Sequence, residues 1–121
     1  MSSVNSSDTA SPTQDIAMQV ELIRQELAKT ILELKKRTEA AIELDHTYRL
    51  NKAKAFLKAE GKTVDLREAE VELLVNEDRK RAKLAAGLEN SATERLRNLR
   101  SELQAVTSLA WVHRSEMELA R

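Results

Sequence analysis

Apolar residues recur along this chain in steps of three and four. The first run passes through Ile16, Val20, Ile23, Leu27, Ile31, Leu34, Ala41, Leu44 and Tyr48. That period draws a nearly heptad stripe along one side of an α-helix, with polar residues on the other. No helix breaker stands between Asp15 and Glu60. The pattern predicts one long helix over about 15–60, or two helices kinked near 35–38. Gly61 is then expected to end it as a C′ glycine.

A turn is expected at 61–64, followed by a second helix over about 65–119. Asp65 with Glu68 three residues on has capping-box spacing, and both acids, with Glu70, suit the positive end of a helix dipole. The second stripe is the clearest in the chain: Ala85, Leu88, Ala92, Leu96, Leu99, Leu103, Val106, Ala110 and Met117, with His113 at the step between the last two. An apolar stripe this long has to be covered. The reading is an all-α fold, a long antiparallel helical hairpin or coiled-coil-like bundle, oligomeric because two helices alone bury little. Asn76–Lys83, with only Ala82 apolar, is expected to be a solvated stretch or a local hinge.

Residues 1–14 carry no such stripe. They are rich in Ser and Thr and hold the only proline, Pro12. Too little apolar surface is present to offset the entropy of ordering, so a disordered tail is expected, with residues 15–121 as one helical domain.

Composition narrows the class. The chain has 121 residues, enough for one domain. Aromatics are 2% and charged residues 33%, a balance typical of long helices rather than compact mixed folds. The formal net charge is zero, so anion binding must come from local segregation of charge. No cysteine is present, which excludes disulfides and thiolate metal sites. The N-terminus lacks the basic and apolar regions of a signal peptide, and no stretch approaches a membrane span. A soluble, cytoplasmic protein with no membrane partner is expected.

Catalytic chemistry is hard to assemble from these residues. His46 and His113 have no His or Cys partner at i+3 or i+4, so no zinc site is expected. Glu43-Leu44-Asp45-His46 matches the Glu-x-x-His element of di-iron bundles once, where two copies and two further glutamates are needed. Two glycines cannot make a phosphate-binding loop. The expectation is a non-enzyme with no catalytic residue, cofactor or metal.

Charge segregation carries the functional reading. Residues 46–83 hold ten basic and seven acidic side chains, a net +3, leaving −3 elsewhere. From Arg49 to Lys62 there are five basic residues against Glu60 alone. Lys54, Lys58 and Lys62 recur at i,i+4 on one face; Arg49 and Lys52 adjoin it. Tyr48 and Phe56 are interleaved. A basic strip with aromatics suits single-stranded nucleic acid, with phosphates on the cations and bases on the rings. The plainer reading is a solvated face of lysines lying over apolar neighbours.

The stretch HTYRLNKAKAFLKAEGKTVDLREAEVELL (residues 46–74), followed by NEDRKRAKLAAGLENSATERLRNLRSELQAVTSLAWVHRSEM (76–117), resembles small proteins of tailed phages organised like UvsY-type recombination mediators. The resemblance covers roughly residues 40–118 through short motifs: Tyr-Arg, Lys-Ala-Lys-Ala, Gly-Lys-Thr-Val, Arg-Glu-Ala and a Leu-Gln-Ala-x-x-Ser-Leu segment. It implies a ring-forming homo-oligomer that binds single-stranded DNA, remodels the single-strand binding protein and helps a RecA-like recombinase load. It would place DNA contacts at Arg49, Lys52, Lys54 and Lys58, with Lys62 and Arg67 in the adjoining turn. It would make Leu96, Leu99, Leu103, Val106 and Leu109 the assembly stripe. The long helix before residue 40 departs from a compact mediator. A phage assembly or scaffolding coiled coil needs only the stripes, and an adaptor would capture a partner helix through residues 16–34.

Overall fold

A computed structural model describes residues 12–120. Among them are three helices and no strand: α1 (Pro12–Lys58), α2 (Val64–Leu74) and α3 (Asn76–Leu119). The all-α helical-hairpin expectation is met. Of the residues 1–14 expected to be a disordered tail, Pro12, Thr13 and Gln14 belong instead to α1. Proline suits a first helical turn, having no N–H to leave unpaired, and Asp15 adds a carboxylate to the same turn. The remainder of that tail, 1–11, lies outside the described residues. α1 runs through 35–38 without interruption.

The described residues fall into two compact units. One joins the start of α1, through Ile31, to α3 from Glu94 onward; the other spans Leu32–Thr93. In the first, Glu26 Oε2 pairs with Arg95 Nη2 at 2.8 Å and Thr13 Oγ1 lies 3.2 Å from His113 Nε2. These contacts set α1 and α3 antiparallel. Ile23 and Leu96 are buried, and Thr30 is wholly buried. The expected stripe passed through Ile31, which is instead half exposed. Thr30 takes the seam because 16, 20, 23, 27, 30 and 34 keep the alternation of fours and threes that a straight seam requires.

In the second unit α1 packs against α2 and the first half of α3. Its seam is built from small residues, with Ala55, Ala85 and Ala92 buried. Ala55, Val71 and Val75 form a cluster, with Tyr48 and Ala59 packed on it. The expected single second helix is interrupted for one residue at Val75. The ladder continues across the break, since Val75 N donates to Val71 O at 3.0 Å and Arg79 N to Val75 O at 2.9 Å.

The turn differs from expectation in two ways. The N-cap of α2 is Thr63, not Asp65: its backbone is extended and its hydroxyl accepts from Leu66 N at 3.2 Å. Asp65 stands in the first turn. Gly61 is no left-handed cap, because α1 ends at Lys58 and no described glycine has positive φ. A glycine is needed there for space. A Cβ at Gly61 would sit 2.8 Å from Arg67 N and 3.0 Å from Leu66 C. The turn is also tied down by Glu70, whose Oε2 accepts from Glu60 N at 3.1 Å and Gly61 N at 3.3 Å.

Candidate nucleic-acid interface

The basic strip lies on the last turns of α1, an Ala-rich segment of high helix propensity. Its faces are fixed by the cluster beneath. Ala55 is buried against Val71 and Val75, so Lys54 and Lys58 flank it on the surface. Asn51, Lys54, Ala55, Lys58, Leu74, Val75 and Asp78 line a shallow groove of ≈ 320 Å³. Its one acid, Asp78, is engaged: Asn51 Nδ2 donates to Asp78 Oδ2 at 2.9 Å.

The six basic residues separate into two groups. Arg49 Nε sits 2.9 Å from Asp45 Oδ2, and Lys52 Nζ lies 3.6 Å from Glu72 Oε1. Lys52 also stands 5.7 Å from the centroid of the Tyr48 ring, within cation–π range. Arg79 Nη1 completes that cluster at 3.2 Å from Glu72 Oε2. These charges are already compensated within the chain. Lys54, Lys58, Lys62 and Arg67 form the second group. All four are exposed, and among the described residues none has an acid within ion-pair distance. They straddle the turn, where the positive end of the α2 dipole adds to the same potential.

The aromatics divide too. Tyr48 packs on the internal cluster under Lys52, so its ring faces are committed. Phe56, 42% exposed, is the ring open to solvent; two residues from both Lys54 and Lys58 on one helix, it stands on the other side of α1 from them.

The proposed assembly stripe is largely used inside the chain. Leu96 is buried and Leu99, Leu103 and Val106 are half-buried, while Leu109 is exposed. What sequence reasoning missed are the polar braces: Asn51, Asp78, Glu70 and Thr63. Asn51 continues the three-and-four alternation of the α1 seam between Tyr48 and Ala55, where a polar residue between apolar neighbours signals a specific partner. Glu70 left no comparable signal, because its partners are backbone groups nine and ten residues away.

Neither His46 nor His113 gathers ligands; among the described residues no three His, Asp or Glu side chains lie together as a metal ion requires. No described helix is long and apolar enough to cross a membrane. Comparison with protein-family models, curated proteins and solved structures returns no match.

Proposed function

We propose that this chain is a non-enzymatic single-stranded-DNA-binding recombination mediator, working as an oligomer to assist loading of a RecA-like recombinase. The observation that carries the reading is the uncompensated group Lys54, Lys58, Lys62 and Arg67 at the end of α1 and the turn after it. Cations already paired with acids gain little from a phosphate. Unpaired ones release counterions from the nucleic acid and gain the full entropic benefit. The recombinase and the single-strand binding protein enter through the resemblance to UvsY-type mediators.

The test is fluorescence anisotropy with a labelled single-stranded oligonucleotide over a salt series, with light scattering for mass. Four phosphate contacts per protomer predict a slope of log K against log salt of roughly −3, at about −0.7 per contact. Lys54→Glu with Lys58→Glu is expected to weaken binding more than about tenfold at low salt and flatten the slope by about 1.4, with unchanged circular dichroism. Unchanged affinity in that double variant overturns the reading.

A second reading, a phage assembly or scaffolding coiled coil without a nucleic-acid role, is favoured by a different observation. Leu57, Leu73 and Leu119 are each more than four-fifths exposed, and Trp111 two-thirds. Side chains of that kind call for cover. A defined oligomer that ignores DNA at low salt would establish it.

A further inference from the structure

A second groove opens in the Leu32–Thr93 unit, away from the strip at the end of α1. Arg37, Ala40 and Leu44 of α1 form one wall; Arg81, Leu84, Ala85 and Leu88 of α3 form the other, enclosing ≈ 190 Å³. Its floor is apolar. Ala85 is buried, Leu44 is half-buried, and Leu84 presents 65% of its surface to solvent. The volume far exceeds the roughly 30 Å³ share of one water. The small side chains Ala40 and Ala85 create it, and a leucine- or phenylalanine-sized group fits where they leave room.

The rim is charged at both ends with one sign. Because α1 and α3 run antiparallel, with Asn51 bonded to Asp78, Arg37 lies towards the Leu88 end and Arg81 towards the Leu44 end. In that register Arg81 is level with residue 48, so at a rise of 1.5 Å per residue the two guanidinium-bearing positions are about three helical turns, roughly 16 Å, apart along the helices. Arg37 is loosely held by Glu33 at 3.8 Å, an exposed pair of small worth. Arg81 has no acid within ion-pair distance among the described residues.

We propose that this groove docks an acidic amphipathic helix of a partner protein. One apolar side chain would fill the space over Ala40 and Ala85. Carboxylates about eleven residues apart, which fall on one face of a helix, would meet Arg37 and Arg81, where the planar fork of arginine favours bidentate pairing. Charge complementarity selects this occupant. A basic helix would be repelled at both ends, and a purely apolar one would leave two guanidinium groups at its edges unanswered. The site is independent of Lys54, Lys58, Lys62 and Arg67, so a protomer could hold DNA and an acidic partner together.

The probe is a fluorescent 16-residue helical peptide with leucines at i, i+3 and i+4, flanked by glutamates about eleven positions apart. Its twin carries lysines in their place. The full chain is expected to bind the acidic peptide at least tenfold more tightly than the twin. Arg37→Glu and Arg81→Glu should each remove that preference, and Ala40→Trp should block both peptides by filling the groove. Arg81→Gln, which deletes the charge with little demand on the helix, should lower affinity for the acidic peptide alone. Circular dichroism confirms folding of each variant. Equal binding of the two peptides, or binding unchanged in the Arg81 variants, overturns the proposal. So does a loss of oligonucleotide affinity in Arg81→Gln without acidic-peptide binding in the parent, which would assign the arginines to nucleic acid. A change of mass in Arg81→Gln with no peptide binding would assign the groove to a second copy of this chain.

Discussion

The two units solve the same packing problem with different residues. In the unit of 12–31 with 94–120, the seam is made of large aliphatic side chains: Ile16, Val20, Ile23 and Leu27 on α1; Leu96, Leu99, Leu103 and Val106 on α3. Only Ile23, Thr30 and Leu96 of this unit reach full burial. In the unit of 32–93 the buried positions are Ala55, Val71, Val75, Ala85 and Ala92. Small residues contribute less area each, about 25 cal/mol per Å². What they lack in area is supplemented by polar ties specific in register: Asn51 to Asp78, Lys52 and Arg79 to Glu72, and Glu70 to the turn amides. Generic aliphatic seams tolerate slippage by a heptad, whereas a hydrogen bond between two named side chains does not. The first unit has ties of this kind too, Glu26 to Arg95 and Thr13 to His113, but both are exposed, whereas the Asn51–Asp78 bond of the unit that presents the uncompensated cations is partly buried.

The sharpest way to break this comparison is to place a charge in each core. Val71 is fully buried, with no partner for a carboxylate, so Val71→Asp is expected to destabilise by about 3–5 kcal/mol. Leu99→Asp, at a half-buried position, should cost about half that, since its carboxylate can reach water. Urea unfolding followed by circular dichroism measures both. Equal losses would mean that the small-residue cluster is no tighter than the aliphatic seam. Gly61→Ala comes next. The added Cβ would meet backbone atoms that cannot swing away, so the turn must shift and strain or lose the Glu70 bonds. A loss of about 1–3 kcal/mol is expected in the same assay. An unchanged midpoint would show that the turn relaxes without cost.

How much of this was legible beforehand depended on the range of the signal. Helix identity and the stripes were legible, because period is a local property that a dozen residues display. The seam was legible to within one position: Ile31 looked the better apolar residue, yet the three-and-four alternation puts Thr30 inside. The turn was located but misassigned in mechanism. A glycine after a helix suggests a left-handed cap, and nothing local reveals that Arg67 and Leu66 press against it. For the candidate interface, the basic residues were visible as a cluster. Their division into compensated and uncompensated groups was not, since Glu72 reaches Lys52 from another helix. The aromatics followed the same rule, with Tyr48 drawn inward by Val71 and Val75, residues distant in sequence.

Thr30 sharpens the comparison from the other side. It is wholly buried, and its Oγ1 has no hydrogen-bond partner. Valine has nearly the same shape and no hydroxyl to desolvate. Thr30→Val is therefore expected to stabilise the chain by about 1–2 kcal/mol, seen as a higher urea midpoint with an unchanged slope. A destabilised variant would show that the hydroxyl is satisfied in solution, for instance by water in the seam.

The smallest expected effect concerns Gly87, inside the first half of α3 within the 32–93 unit. Unlike Gly61, it has open space: a Cβ there would meet no atom within 4 Å. Its backbone is not in the left-handed region, so an L side chain carries no strain. Only the conformational freedom of glycine in the unfolded chain then weighs against it. Gly87→Ala should stabilise by about 0.5–1 kcal/mol without altering burial. Thermal melts of the Ala variants at 61 and 87 form one comparison: the same atoms added to the same unit, with opposite sign. If Gly87→Ala instead lowers the melting temperature, the space beside it is occupied in solution, and light scattering on parent and variant would show whether a second copy fills it.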